Sequence, residues 1–298
     1  MSSAVIGKLA ERYSQLYLNP YEEGAKEACH DAVCRGIAPE KNDLPHFSGD
    51  ERDSLQTLET PAGPVEILTL YKREDFETFL RIMANHCGDQ PIPATQGAST
   101  LDGIINWQKI CAHREKFYEE QREQGVLFPD WNTEFRNFTA KKENYRDTLI
   151  ILSIGPYSNI PAERLGLSSE EWIRRSHTLR THHECTHVIC RRLYPEQINT
   201  VWDELVADAI GLYAAFGRYI RGYEETFLGV EDGRYTGGRL ENYMKADEKK
   251  EPDLLAKKVS AVLQAFEQLF SEEGNTDPFT MIPILEKLQD RLWGRDQA

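Results

Sequence analysis

At 298 residues the chain is long enough to bury a large core and to divide into two lobes. Its 49 acidic against 35 basic residues leave a net charge of −14, which argues against nucleic acid as a partner because such proteins carry a basic face. Six cysteines, at 29, 34, 87, 111, 185 and 190, show no CxxC pairing, so a reducing compartment, the cytoplasm, is the expected location.

From the amino end, helical patterns cover about 3–17 and 20–35. The first is amphipathic and polar, without the apolar segment of a signal peptide, and no later run approaches eighteen apolar residues. Neither export by that route nor a membrane span is expected. A polar, proline-containing stretch over 37–62 reads as a surface loop. VEILTL at 65–70 reads as a strand and 74–86 as a helix. The turn-rich segment 87–100 reads as a connector leading into a helix from 101 to about 122. TLIILS at 148–153 is the clearest buried strand, and GPYSNIPAERLGL carries the chain from it to the next helix.

That helix starts near 169, where Ser168 and Glu171 form a capping box, and Pro195 stops it at about Tyr194. Trp172, Ser176, Leu179, His183, Thr186, Cys190 and Leu193 recur at spacings of three and four and define its inward stripe. A return helix follows, capped by Asn199 or Thr200, with Val201, Leu205, Ala209, Leu212 and Phe216 on its apolar face. After about 218 the pattern is mostly helical again. A glycine-rich interruption over 229–238 precedes helices near 251–272 and 277–293. The expected class is α+β and mostly helical.

The chemistry lies in His183-Glu184-Cys185-Thr186-His187, an HExxH motif. Histidines four apart on a helix share one face and can reach one metal ion, while the glutamate between them flanks it. Chance supplies this three-residue pattern in roughly one or two such chains per hundred, so its context has to carry the argument. His187 lies about 9 Å before the turn that ends its helix, and Glu204 about 6 Å past the next cap. A helix hairpin therefore sets Glu204 opposite His187 as third ligand, with Asp203 the competing carboxylate. Asp208, one turn on, is placed to accept the other ring N–H of His183. The expected cofactor is one Zn²⁺ per chain on His183, His187 and Glu204, with Glu184 as general base. Tyr157, Tyr213, Tyr235 and His177 are candidate oxyanion donors, with His177 and Tyr157 ranked first. Cys185 points away from the metal. Cys190, on the metal face, reads as a buried thiol and is the one available fourth ligand. The arginines at 174, 175, 180, 191 and 192 read as a solvated face, or as one receptor for a substrate carboxylate.

HECTH followed by Glu204-Leu205-Val206-Ala207-Asp208 resembles the HExxH plus E-x-x-A-D signature of the gluzincin metallopeptidases. It does not resemble the metzincins, whose pattern needs Gly and His where this chain has Cys190 and Leu193. The likeness covers about 168–217. It implies a zincin-like fold with a small sheet beside the HExxH helix, a substrate strand and cleft rim over 151–160, and a helical C-terminal lobe. The chain then forms a single catalytic unit over 1–298, with lobes at 1–194 and 195–298, that cleaves a peptide or protein substrate. Two other readings use the same residues. Two His and one carboxylate is also the ligand set of non-haem Fe(II) enzymes, and an inactive zincin-like adaptor would keep the metal without the chemistry.

Overall fold

The computed structural model describes residues 4–196, 199–273 and 277–294. The chain forms two compact units. One holds the chain up to Thr57 together with Glu66–Ser153, and the other holds Leu58–Val65 and the chain from Ile154 onward. The class is α+β.

The first unit contains helices α1 (Ala4–Arg12) and α2 (Ala25–His30), strands β1 (Ser54–Leu58) and β2 (Val65–Leu70), and helix α3 (Arg73–Met83). Strand β3 (Ala98–Ile105), helices α4 (Trp107–Glu123) and α5 (Trp131–Thr139), and strand β4 (Arg146–Ser153) complete it. The sheet order is β1-β2-β4-β3. Strand β4 is central, parallel to β2 with Leu68 opposite Ile151, and antiparallel to β3 with Leu101 opposite Leu149. A parallel strand covered on both faces needs a continuous apolar run, and Leu149, Ile150, Ile151 and Leu152 are all fully buried. Phe76, Phe79 and Ile82 of α3 pack with Leu149 and Ile151 in one core, each buried side chain contributing roughly 1.5–3 kcal/mol.

Several expectations for this unit need correction. The stretch 37–62 is not all loop, because it contains edge strand β1 and buries Leu44 and Phe47. The Asp75 carboxylate pins it by accepting from the Ser48 and Gly49 amides at 2.8 Å each. Residues 98–105 form β3 where the reading gave a connector and the start of a helix. A register shift between Asp102 and Ile104, with Gly103 at φ 75°, breaks the alternation that marks a strand. Helix α4 starts only at Trp107, after Asn106 accepts from the Lys109 amide. The first helix stops at Arg12 because Tyr13 leaves helical geometry at φ −124° and ψ 84°.

The second unit contains α6 (Ser169–Leu193), α7 (Thr200–Phe216), α8 (Arg221–Leu228), a hairpin of β5 (Val230–Glu231) and β6 (Arg234–Tyr235), and then α9 (Pro252–Glu273), α10 (Ile282–Glu286) and α11 (Gln289–Leu292). The last two replace the single helix expected over 277–293. The HExxH helix therefore belongs with the return helix, and the boundary between units falls after Ser153 rather than at 194. The four-stranded sheet lies in the other unit.

Helices α6 and α7 are the most extensively packed pair of elements in this unit. Gly211 permits their close approach, since a Cβ there would stand 2.8 Å from the Leu179 carbonyl oxygen. A second tight crossing joins Gly229 to Gly237 and Gly238. A Cβ on Gly229, already at φ +71°, would lie 2.3 Å from the Gly237 oxygen. This crossing sends residues 239–243 back toward α7. The glycine-rich interruption is thus a folded device.

Candidate metal centre

Local chemistry sets both helices of the centre. The Ser168 hydroxyl accepts from the Glu171 amide at 3.2 Å and starts α6. The Asn199 side chain accepts from the Trp202 amide at 3.0 Å and starts α7. Folded together, they place His183 Nε2 3.1 Å from His187 Nε2 and 3.6 Å from Glu204 Oε2. His187 Nε2 stands 3.5 Å from Glu204 Oε1. A tetrahedral ion with ligands at about 2.0–2.1 Å sets neighbouring ligand atoms about 3.3 Å apart. The observed separations, two of which run to different oxygens of the Glu204 carboxylate, bracket that edge. Two imidazole nitrogens aimed at one point with a carboxylate suit a cation better than they suit one another. Among the described residues, this is the group of histidines and acids able to hold a metal.

Burial, and then the neighbouring His183, push His187 down to about 3, which leaves it neutral with a lone pair to give. Burial also acts against protonation of His183, but the hydrogen bond and charge of Asp208 outweigh it and raise that imidazole. His183 Nδ1 lies 2.9 Å from Asp208 Oδ1. A proton on Nδ1 directed at Asp208 leaves Nε2 unprotonated and facing the other two ligands. Asp208 thus stands where the spacing on α7 placed it.

Tyr157 joins this arrangement from the other side of the ring. Its hydroxyl lies 2.9 Å from His183 Nδ1 and donates to Asp208 Oδ1 at 2.5 Å. That is the edge of the imidazole turned away from Nε2, so Tyr157 orients a ligand and is not the oxyanion donor expected of it. Two contacts hold it there. The Tyr157 amide donates to Ser176 Oγ at 2.9 Å, and Arg180 donates to the Gly155 and Pro156 carbonyls at 2.9 and 2.7 Å. Arg180 is buried for this purpose and is not part of a solvated face. His177 lies six residues before His183 on α6, about 9 Å along the axis, and is no part of the ligand group. Burial and the nearby Arg180 lower it.

Glu204, not Asp203, belongs to the group that could hold a metal. Burial raises the Asp203 carboxyl to about 6. Cys190 is not a fourth ligand, because its thiol turns to Glu286 Oε1 at 3.8 Å and burial holds it protonated. Cys185 is fully buried and its thiol is pushed up to about 12, again first by burial. Glu184 is half-buried on the flank of the motif.

Two participants escaped the sequence reading. Arg239 donates to the Tyr157 hydroxyl at 2.6 Å and to Ser158 Oγ at 3.2 Å, and it forms an ion pair with Asp208 Oδ2. Burial alone would raise the Asp208 carboxyl, but Arg239 and His183 hold it well below the usual carboxylate range. Tyr243 donates to Glu204 Oε2 at 2.9 Å. Both lie in a short 3-10 turn, Arg239–Tyr243, behind the glycine crossing. The signal available in sequence was that crossing itself: adjacent glycines followed at once by Arg239.

No helix among the described residues is long and apolar enough to cross a membrane. No curated protein and no solved structure matches the chain. A family model does match, over residues 3–289, and the chain belongs to that family of unknown function, DUF7005.

Proposed function

We propose that this chain is a zinc-dependent metallopeptidase of HExxH type. The observation that carries the reading is the set of three ligand-atom separations, 3.1, 3.5 and 3.6 Å, among His183, His187 and Glu204. A zinc ion held there supplies Lewis acidity and brings the pKa of a water to about 7. Glu184 flanks the first ligand and accepts the proton of the attacking water on its carboxylate. It then delivers that proton to the leaving amine, so the elements of one water are divided between the two fragments. Tyr243, rather than Tyr157, takes the oxyanion role, because the Tyr157 hydroxyl is engaged at the Nδ1 edge of His183. A hydroxyl bonded to a ligand carboxylate stands within one hydrogen bond of a carbonyl at the centre. Asp208, Tyr157 and Arg239 fix the His183 ring.

A helical ligand set with a glutamate between the histidines favours hydrolysis over oxygen chemistry. The net charge of −14 supports a peptide or protein substrate rather than nucleic acid. The six cysteines are all free thiols, which supports a cytoplasmic setting. The test is metal content after purification without added metal. About one zinc per chain is expected, lost in His183→Ala and Glu204→Gln. Iron in its place, or zinc indifferent to both changes, would overturn the reading.

A further inference from the structure

Beside the ligand group, α6, α7 and α10 enclose a cavity of about 210 Å³. That is space for several waters or for one extended side chain. His187 and Glu204 form one wall, so the cavity adjoins the candidate ligand group. Asp203 and Glu286 form another. Glu286 is only 3% exposed. The Cys190 thiol donates to its Oε1 at 3.8 Å. The indole N–H of Trp202 faces it as well. Arg191 also lines the cavity but is exposed at its rim.

A carboxylate buried without a cation beside it is held as an anion only against the cost of desolvation. Here burial, followed by the charge of Asp203, pushes Glu286 up to about 7. Asp203 and Glu286 line space that the protein does not fill, and the one arginine of the lining, Arg191, stands at the mouth. Such a site recognises a cation and rejects a carboxylate.

We propose that this cavity is a specificity subsite for a cationic group of the substrate, an alkylammonium or guanidinium, held by Asp203 and Glu286 beside the metal. The inference rests on the hydrolase reading for its place in catalysis, while the binding itself needs only the cavity. An α-amino terminus and a lysine or arginine side chain present the same chemistry and are separated by the test.

The probe is n-butylguanidinium, which cannot act as a metal ligand, compared with its neutral isostere n-butylurea. Both are titrated calorimetrically into the zinc-loaded full chain and into Glu286→Gln and Asp203→Asn. The expected result is preferential binding of the cation, weakened roughly tenfold or more in each variant with zinc content retained. Equal binding of cation and urea to the native chain overturns the subsite, and this arm stands even if a variant fails to fold. Unchanged cation binding in both folded variants overturns it as well. In parallel, peptides with a free terminus and no basic residue are compared with acetylated peptides containing lysine or arginine. Preference for the first set assigns the pocket to the terminal amine, and preference for the second to the side chain. Cleavage indifferent to both charges removes the subsite and leaves the hydrolase. Cation binding with no zinc-dependent cleavage of any peptide removes the hydrolase and leaves the pocket.

Discussion

Arg239 forms an ion pair with Asp208, a carboxylate with no exposed surface, across 31 residues of chain. Through the other oxygen of that carboxylate and the Tyr157 hydroxyl, the pair reaches His183 Nδ1. The expense of burying Asp208 as an anion is thus met by a guanidinium that sits nowhere near it in sequence. Removing Arg239 strands that anion. Breaking a buried pair costs about 3–5 kcal/mol, and loss of a group behind a metal-ligating histidine lowers metal affinity about 10–100-fold. Arg239→Gln should show both effects in urea unfolding and in zinc competition with a chelator. A variant with native zinc affinity would mean that Asp208 orients His183 without help.

Glu184→Gln separates the metal from the chemistry. It removes a base while leaving His183, His187 and Glu204 in place, so zinc content and unfolding midpoint should stay native while turnover falls about 10²–10⁴-fold. Tyr243→Phe should lower kcat and leave KM nearly unchanged, because an oxyanion donor acts chiefly in the transition state. An equal loss in zinc affinity would instead make Tyr243 a support for Glu204.

Removal of the metal should also be visible without any substrate. An ion that binds only the folded chain stabilises it by about 2.7 kcal/mol at a hundred times its Kd. Dialysis against a chelator should therefore lower the melting temperature by several degrees, and one equivalent of zinc should restore it. In His183→Ala, chelator and zinc should have no effect on melting. A chelator effect that persists in that variant would place the stabilising ion elsewhere.

The parts of the centre legible in the sequence are those governed by local rules. Ser168, Asn199 and Pro195 fix the ends of α6 and α7, and the rise per residue then sets Glu204 opposite His187. Asp208 follows from one further turn. Arg239 and Tyr243 were illegible because they arrive 31 and 39 residues after their partners through a backbone crossing, and no periodicity marks a 3-10 turn. The same contrast holds in the other unit. Strands β2 and β4 declare themselves as continuous apolar runs, whereas β1 and β3 lie at the sheet edges, with mixed exposure and, in β3, a bulge at Gly103. Tyr157 was found but given the wrong task, since residue type says nothing about which edge of an imidazole a hydroxyl will meet.

Gly211 tests the hairpin itself. It faces Leu179, one turn before His183, and its missing side chain sets how near α7 lies to α6. Gly211→Ala should gain helix propensity of up to about 1 kcal/mol. The contact at 2.8 Å with a backbone oxygen cannot be relieved by a side-chain rotation, and overpacking of this kind costs about 1–3 kcal/mol. Net destabilisation with weakened zinc binding is expected. A stabilised variant with native zinc affinity would show that the helices have room to part.

Glu224 gives the pH dependence. It is fully buried, and neither carboxylate oxygen closes a hydrogen bond among the described residues. Burial, and then the charge of Asp208, raise its pKa well above the ordinary glutamate value. The folded state therefore holds a proton that the unfolded chain releases at about pH 4.3. Where the folded state binds more protons, stability falls as pH rises. The contribution is full below about pH 4.3 and drains away upward until the folded pKa is passed. Glu224→Gln keeps the shape and cannot ionise, so its unfolding free energy should fall less steeply between pH 5 and 8 and exceed that of the native chain at the upper end. Parallel curves for the two proteins would show that Glu224 is already ionised and paired with a cation at neutral pH.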